Sequence, residues 1–266
     1  MERLWRRPTA MFRWLWDLSF GKSCGVFLLG NYLAFGGSIF LCWALGRVFA
    51  SRRVFDSWQR ITVLELTVAL LSPAFNTVVS IAGWYLWKQG WIELIDRPLW
   101  RSVLDVAVML LVMDCGMYFL HRLAHCRWIF PLFHTFHHRH DKTHPMSLFV
   151  MHPLETVLFG MLMILFLVVY AMSPIGLMTY LTLNLLWGTL GHCGVEPFPR
   201  NTLVSPVLRY LGSSTFHAEH HEASRYNFGF YTLIWDHIFG TLHPDYAKMF
   251  HNAVSGVSAS KPAAVD

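Results

Sequence analysis

The run from Cys24 to Ala50 carries a single charged side chain, Arg47, and exceeds the ~20 apolar residues that cross a bilayer as a helix. Nothing else in the chain restricts the fold as sharply, because a backbone in hydrocarbon must satisfy its own hydrogen bonds within the segment. Further apolar runs follow. Ile61–Trp87 is interrupted by Pro73 and reads either as one kinked span or as a re-entrant pair of half-helices. Leu99–Leu120 is a third run, Leu154–Met172 a fourth and Ile175–Leu190 a fifth, with Ser173-Pro174 breaking the last two apart. The expected fold is all-α: a transmembrane bundle of four or five spans beneath a cytosolic, histidine-rich helical cap.

Composition agrees with lipid as the solvent. Charged residues make up 14% of the 266 and hydrophobic residues 55%, whereas soluble domains carry about 25% charged. A disordered chain, a collagen-like fibre and a small disulfide-stapled secreted domain are excluded. The five cysteines form no CxxC and read as small buried thiols. The net charge of +5 comes from residues between apolar runs or at their ends, which suits anionic lipid head groups and not nucleic acid. In residues 1–20, Leu4, Trp5, Met11, Phe12, Leu15 and Trp16 recur at helical spacing with Arg3, Arg6, Arg7 and Arg13 mostly on other faces, as in a helix lying on a membrane surface. Three regions are expected: an N-terminal membrane part over 1–98, a catalytic part over 99–250 and a flexible tail over 251–266.

All fifteen histidines fall between His121 and His251. Three boxes stand out: His121 with His125, then His134, His137 and His138, then His217, His220 and His221. On a helix, positions i, i+3 and i+4 share a face, so each box is expected to present its imidazoles to one point. A given H-x-x-H-H pattern arises by chance roughly 0.05 times in a chain of this composition, and two copies on the order of 0.001. Imidazole suits iron, copper, zinc and nickel, and eight converging rings exceed what one tetrahedral ion uses, so the count points to two metals. His192, at the end of the fifth run, returns to the same membrane face and is expected as a ninth ligand. Asp114, Tyr118, His121 and His125 form one helical stripe, and Asp114 is expected to accept the N–H of a ligating imidazole and fix its tautomer. His140, His144, His152 and Glu196 stay open between ligation and turn or capping roles, and His237, His243 and His251 read as surface or structural.

Lys and Arg are more numerous on the histidine side, which favours a cytoplasmic orientation for it, in a bacterial inner membrane or an endoplasmic reticulum. Five complete spans then put the N-terminus on the opposite side, and a re-entrant second run returns it to the histidine side.

These boxes, with Asp114 before them, His152-Pro153-Leu154-Glu155, the lone His192 before Cys-Gly, and the Asn227–Asp236 stretch followed by Phe239-Gly-Thr241, resemble the fatty acid hydroxylase/sterol desaturase superfamily of integral-membrane di-iron oxygenases. The resemblance covers about residues 100–245. It implies two non-haem irons held by the boxes, O2 as co-substrate, and hydroxylation or desaturation of a lipid C–H bond. Some hydroxylases of the superfamily carry a further HxxxH after the hairpin, and here Glu196 stands four residues after His192, which is closer to the sterol-desaturase-like branch. O2 chemistry also needs electrons, and the chain has no GxGxxG, CxxCH or iron–sulfur cysteine set, so an external donor of cytochrome b5 or ferredoxin type is expected. Two competing readings are a membrane zinc hydrolase, weakened by Arg122 where HExxH needs Glu, and a metal transporter or metal-binding membrane protein, weakened because the histidines gather at run ends.

Overall fold

The computed structural model describes residues 9–55 and 60–257. Among these the α-helices are α1 (Arg13–Trp16), α2 (Phe20–Val48), α3 (Val63–Lys88), α4 (Leu99–Ala124), α5 (Pro153–Val169), α6 (Pro174–His192), α7 (Ser214–Glu222), α8 (Ile234–Phe239) and α9 (Tyr246–Ser255). No named strand occurs among the described residues, and β pairing is limited to isolated bridges. The all-α expectation holds. Three helices, α2, α3 and α4, are long and apolar enough to cross a membrane, and α5 and α6 form a shorter hairpin beside them.

The helices start where side chains can cap them. Thr62 and Glu65 form a reciprocal capping box on α3, with Glu65 Oε2 accepting the Thr62 N–H at 2.8 Å. His152 and Ser173 cap α5 and α6, each followed by a proline at the first helical position, where a missing N–H costs nothing.

Packing follows membrane rules. The buried residues of α2 are Ser23, Ser38 and Cys42, while Leu33 and Phe40 are each 66% exposed. Its polar side chains turn inward: Ser38 Oγ meets Thr189 Oγ1 of α6 at 2.7 Å, and Asn31 reaches Thr77 and Ser80 of α3. Such an inside-out surface suits a helix that gains little by hiding apolar groups from lipid. Between α3 and α5 the approach is so close that a Cβ on Gly160 would lie 2.5 Å from Val79.

Contacts at the two ends of the bundle give each helix its direction. At one end, Trp84 near the close of α3 donates to Leu15 O, Met172 bonds Glu93, and Arg97 pairs with Asp105 of α4 at 2.7 Å. At the other, Glu65 of α3 faces His140, and Glu196 N donates to Arg52 O just beyond α2. The five long helices therefore alternate in direction, and residues 9–16 lie at the end opposite the histidines. Pro73 sits inside a continuous α3, so the re-entrant alternative for the second run falls away. Thr77 Oγ1 donates to Pro73 O one turn on.

Two expectations at the ends of the chain change. Of the expected surface helix, Leu4, Trp5, Arg3, Arg6 and Arg7 lie outside the described residues. The rest is a short 3-10 turn (Ala10–Phe12) and α1, with Phe12 and Trp16 edge-on to Trp87. The stretch from 251, expected as a tail, is helical over 251–255, and residues 258–266 lie outside the described residues. Residues 251–255 complete α9, because Ala253 and Val254 are buried and Val254 belongs to a small core with Phe216, Leu233, Tyr246 and Phe250. That core supports α7 from behind.

Candidate metal centre

The nine histidines singled out from the sequence come together in two groups, each with ring nitrogens within 4.8 Å of one another. His121, His125, His134, His138 and His220 form one; His137, His192, His217 and His221 form the other. The spacing is of the order of the ~4.2 Å that separates two imidazole nitrogens across a single ion.

The boxes do not each converge on one point, as helical spacing suggested. His121 and His125, on the last turn and cap of α4, do share a group. The second box is a 3-10 helix (His134–Arg139), and it sends His134 and His138 one way and His137 the other. On α7, His217 and His221 sit one turn apart with their rings edge-on in the second group, and His220 turns to the first. Both shared segments lie between the groups, and neighbouring residues on them face opposite sides.

What surrounds the rings determines what the rings can do. His121 Nδ1 faces Phe228 O at 3.0 Å, His220 Nδ1 faces Tyr226 O at 2.6 Å, and His221 Nδ1 faces His140 O at 2.9 Å. A carbonyl oxygen only accepts, so each of these Nδ1 atoms carries the proton. His134 Nδ1 lies 2.7 Å from Glu155 Oε1, a carboxylate that binds it as donor. Ser147 spends its hydroxyl proton on His144 O at 2.7 Å, so at 2.8 Å it accepts from His192 Nδ1. These protonations leave Nε2 bare on His121, His134, His192, His220 and His221.

Those bare nitrogens face other imidazole nitrogens. His134 Nε2 is 2.9 Å from His125 Nε2, His217 Nε2 is 3.0 Å from His192 Nε2, and His220 Nε2 is 3.1 Å from His138 Nε2. Burial pushes the pKa of His134 and His137 down to about 4. Burial, reinforced by neighbouring imidazoles, drives His125, His138, His217, His220 and His221 lower still. Near neutral pH the groups are thus buried, uncharged lone-pair donors aimed at common points, an arrangement that two cations fit and few other occupants would.

Asp114 departs from its expected role. Its carboxylate accepts from Tyr231 N at 2.9 Å, Thr232 N at 3.2 Å, Thr232 Oγ1 and Trp235 Nε1, and it has no bond to an imidazole. The cause is distance along the helix: seven residues at ~1.5 Å place it ~10 Å from His121. Asp114 instead anchors the segment that follows Phe228. Asp236 holds the same segment from the other side through Phe228 N and Gly229 N, both at 2.8 Å. Asn227 adopts a left-handed φ of 58°, which asparagine tolerates, between the two carbonyls that meet His220 and His121.

The open candidates resolve into supports. His152 Nδ1 caps α5 through Leu154 N, and His144 Nδ1 accepts Met146 N. Buried Glu196 accepts from Thr215 N and Oγ1 at the start of α7 and from Phe198 N, with no imidazole partner. His140 serves through its carbonyl, while its ring lies 3.4 Å from Glu65. Sequence reading missed Glu155 as an imidazole partner, although an acid in the first turn of an apolar helix was a usable signal. Ser147 and the three carbonyls carried no signal in residue type.

Residues 106–241 match the fatty acid hydroxylase family. Protein CER1-like 1 of Arabidopsis thaliana is 30% identical over 54% of this chain and 24% of its own length. The cholesterol 25-hydroxylase-like protein of Danio rerio is 29% identical over 62% of this chain and 65% of that protein. The Delta(7)-sterol-C5(6)-desaturase of Nicotiana tabacum is 25% identical over 68% of this chain and 66% of that one. The chain thus spans about a quarter of the first relative and just under two thirds of the other two. No solved structure matches it.

Proposed function

The chain belongs to the fatty acid hydroxylase family, within the fatty acid hydroxylase/sterol desaturase superfamily, and from that premise we propose that it is a membrane-bound non-haem di-iron oxidoreductase that uses O2 to hydroxylate or desaturate a lipid. One observation carries the reading: nine imidazoles form two buried groups, and five of them are fixed with a bare Nε2 turned inward. His121, His125, His134, His138 and His220 would hold one iron, and His137, His192, His217 and His221 the other. What bound iron supplies is O2 activation strong enough to attack an unactivated C–H bond, which no side chain provides.

The protein's own work is positioning. Glu155 raises the basicity of His134 and fixes its ring, and the carbonyls of Phe228, Tyr226 and His140 do the same for their partners. The apolar helices bring a lipid to the edge of the bilayer where the histidines sit. The description of the family and the names of the two sterol-enzyme relatives favour a sterol-like or fatty acyl substrate. The histidine end faces the cytoplasm, and exposed Arg122, Arg127 and Arg139 beside the boxes suit an acidic electron donor of cytochrome b5 or ferredoxin type, whose reduction rate should fall as salt rises.

Metal analysis of the purified protein, joined to lipid analysis of a host with and without the gene, tests the reading. About two irons per chain and an O2-dependent lipid product support it. Zinc alone, with no O2-dependent turnover, overturns it.

A further inference from the structure

Helix α4 serves as a ruler for depth in the membrane. Its first residue, Leu99, lies at the end of the bundle where Arg97 pairs with Asp105 and Met172 N donates to Glu93 O. From there the ~30 Å of a bilayer's hydrocarbon is used up in ~20 residues, at Phe119, and Arg122 stands one turn further, at head-group level. On the same scale the 19 residues of α6 cover ~28 Å and end at His192.

The chain on either side of α8 reaches below that level. Asp114, ~8 Å short of Phe119 along α4, accepts from Tyr231 N, Thr232 N and Trp235 Nε1. Tyr231 Oη lies 3.0 Å from Tyr180 Oη and donates to Asn184 Oδ1 at 2.6 Å, both on α6 well before His192. Phe239 of α8 stacks on Tyr118 at 5.5 Å between centroids and meets Phe119 edge-on at 5.4 Å, with the Arg122 guanidinium 5.9 Å from its ring. A second segment is tied to this depth, because Gly212 N donates to Tyr231 O and Leu233 N donates to Tyr210 O, each at 2.8 Å.

What these two segments show outward is apolar. Val204 is 79% exposed, Val207 68% and Ile238 63%, and Ile234 and Phe239 are exposed as well. Between residues 202 and 212 the one charged side chain is Arg209, whose guanidinium folds over the Tyr210 ring at 4.7 Å. We propose that residues 204–211 and α8 form a shoulder sunk in the outer ~8 Å of the hydrocarbon on the histidine side, with lipid acyl chains covering its exposed face. That is the depth at which interfacial elements settle.

Two further observations name lipid as the occupant. The shoulder is continuous with the lipid-facing side of α4, since Phe119, itself exposed, is the residue that Phe239 meets. Irregular backbone at such depth must also find its hydrogen bonds within the protein. The N–H groups of Val204, Ser205, Leu208, Arg209, Tyr210, Leu211 and Gly212 all have acceptors in the chain. One consequence reaches the centre. The strand of chain that carries the Phe228 carbonyl to His121 continues directly into the shoulder, so the five-histidine group is braced by an element resting in lipid. The proposal goes beyond the oxidoreductase reading and stands on membrane placement alone.

The test is photolabelling of the full-length protein in phospholipid vesicles, with tagged peptides mapped by mass spectrometry. A phospholipid carrying a diazirine near the ester end of its acyl chain should tag residues 204–211 and α8. One carrying it at the chain end should favour the face of α4 around Leu111. Shallow-probe tags at Phe119 with none on either shoulder segment would overturn the proposal. A spin label supplies a second readout, at Val207→Cys and Ile238→Cys with Cys24, Cys115 and Cys126 replaced by alanine. Collisions with O2 should outnumber those with a water-soluble nickel chelate at both sites, as at Leu111→Cys, and the reverse should hold at Lys248→Cys on α9. Nickel dominating at either shoulder site means water covers it, and a label closed to both reagents means protein does; each result overturns the proposal. Neither readout depends on iron, so a tagged shoulder in a protein that binds none would sink the oxidoreductase reading alone.

Discussion

Single residues divide the labour of the centre unevenly. His137 is one of only four rings in its group, so His137→Ala should abolish turnover and cut iron content to about half, with the membrane helices unchanged by circular dichroism. Glu155 touches His134 and no inward nitrogen of the centre. Glu155→Gln keeps the shape and loses the charge, so iron affinity should fall about 10–100-fold in a chelator competition, with folding retained. Asp114 belongs to a different class. With four hydrogen bonds to the Tyr231–Trp235 stretch, Asp114→Ala leaves buried donors unmet and should cost about 2–4 kcal/mol of stability, read as a lowered Tm, and iron loss should follow the unfolding. Iron loss without a change in Tm would restore the imidazole-orienting role that helical periodicity first gave Asp114. That role was misassigned because periodicity reports which residues share a face and says nothing of which loop will fold over that face.

At the scale of elements, the boxes were legible and their division was not. Spacing of i, i+3 and i+4 locates histidines on a common surface, but His134–Arg139 is a 3-10 turn with a shorter repeat, and α7 stands between two centres. Neither fact follows from the residues within each box. The apolar helices were readable to within a few residues because lipid imposes length and composition directly. The start of α9's packing was hidden for the opposite reason: its small residues look like tail until Phe216 and Leu233 cover them. The loop that carries the second box has a pH signature of its own. Burial holds His134 and His137 at about 4, against an ordinary ~6.5. Between those values the unfolded chain takes up protons that the folded one refuses, so stability is present above ~6.5 and drains away as pH falls toward 4. Chelator-treated protein in detergent should therefore show a Tm that drops steadily from pH 7 to 5. A flat profile would mean that these rings stay solvated.

Across the whole molecule, polar contacts organise both ends of the bundle and leave apolar surface between them. The alternation of five helices from residues 9–16 to the histidine end makes orientation testable with a side chain already present. Cys126 is exposed just beyond α4, at the histidine end, whereas Cys42 and Cys193 are buried. A membrane-impermeant thiol reagent should label Cys126 in inverted vesicles and spare it in right-side-out ones, and the reverse pattern would turn the centre away from the cytoplasm.

Three of the nine rings, His121, His220 and His221, lean on carbonyls of Phe228, Tyr226 and His140. A carbonyl is common to every amino acid, so no codon change at those positions deletes it. An alanine scan would find the imidazoles and Glu155 and would leave all three carbonyl acceptors in place. Proline, an insertion or a deletion would reach them, because such changes redirect the chain itself. Part of what tunes this centre is therefore inherited as the path of the backbone, beyond whatever the side chains at those positions pack against.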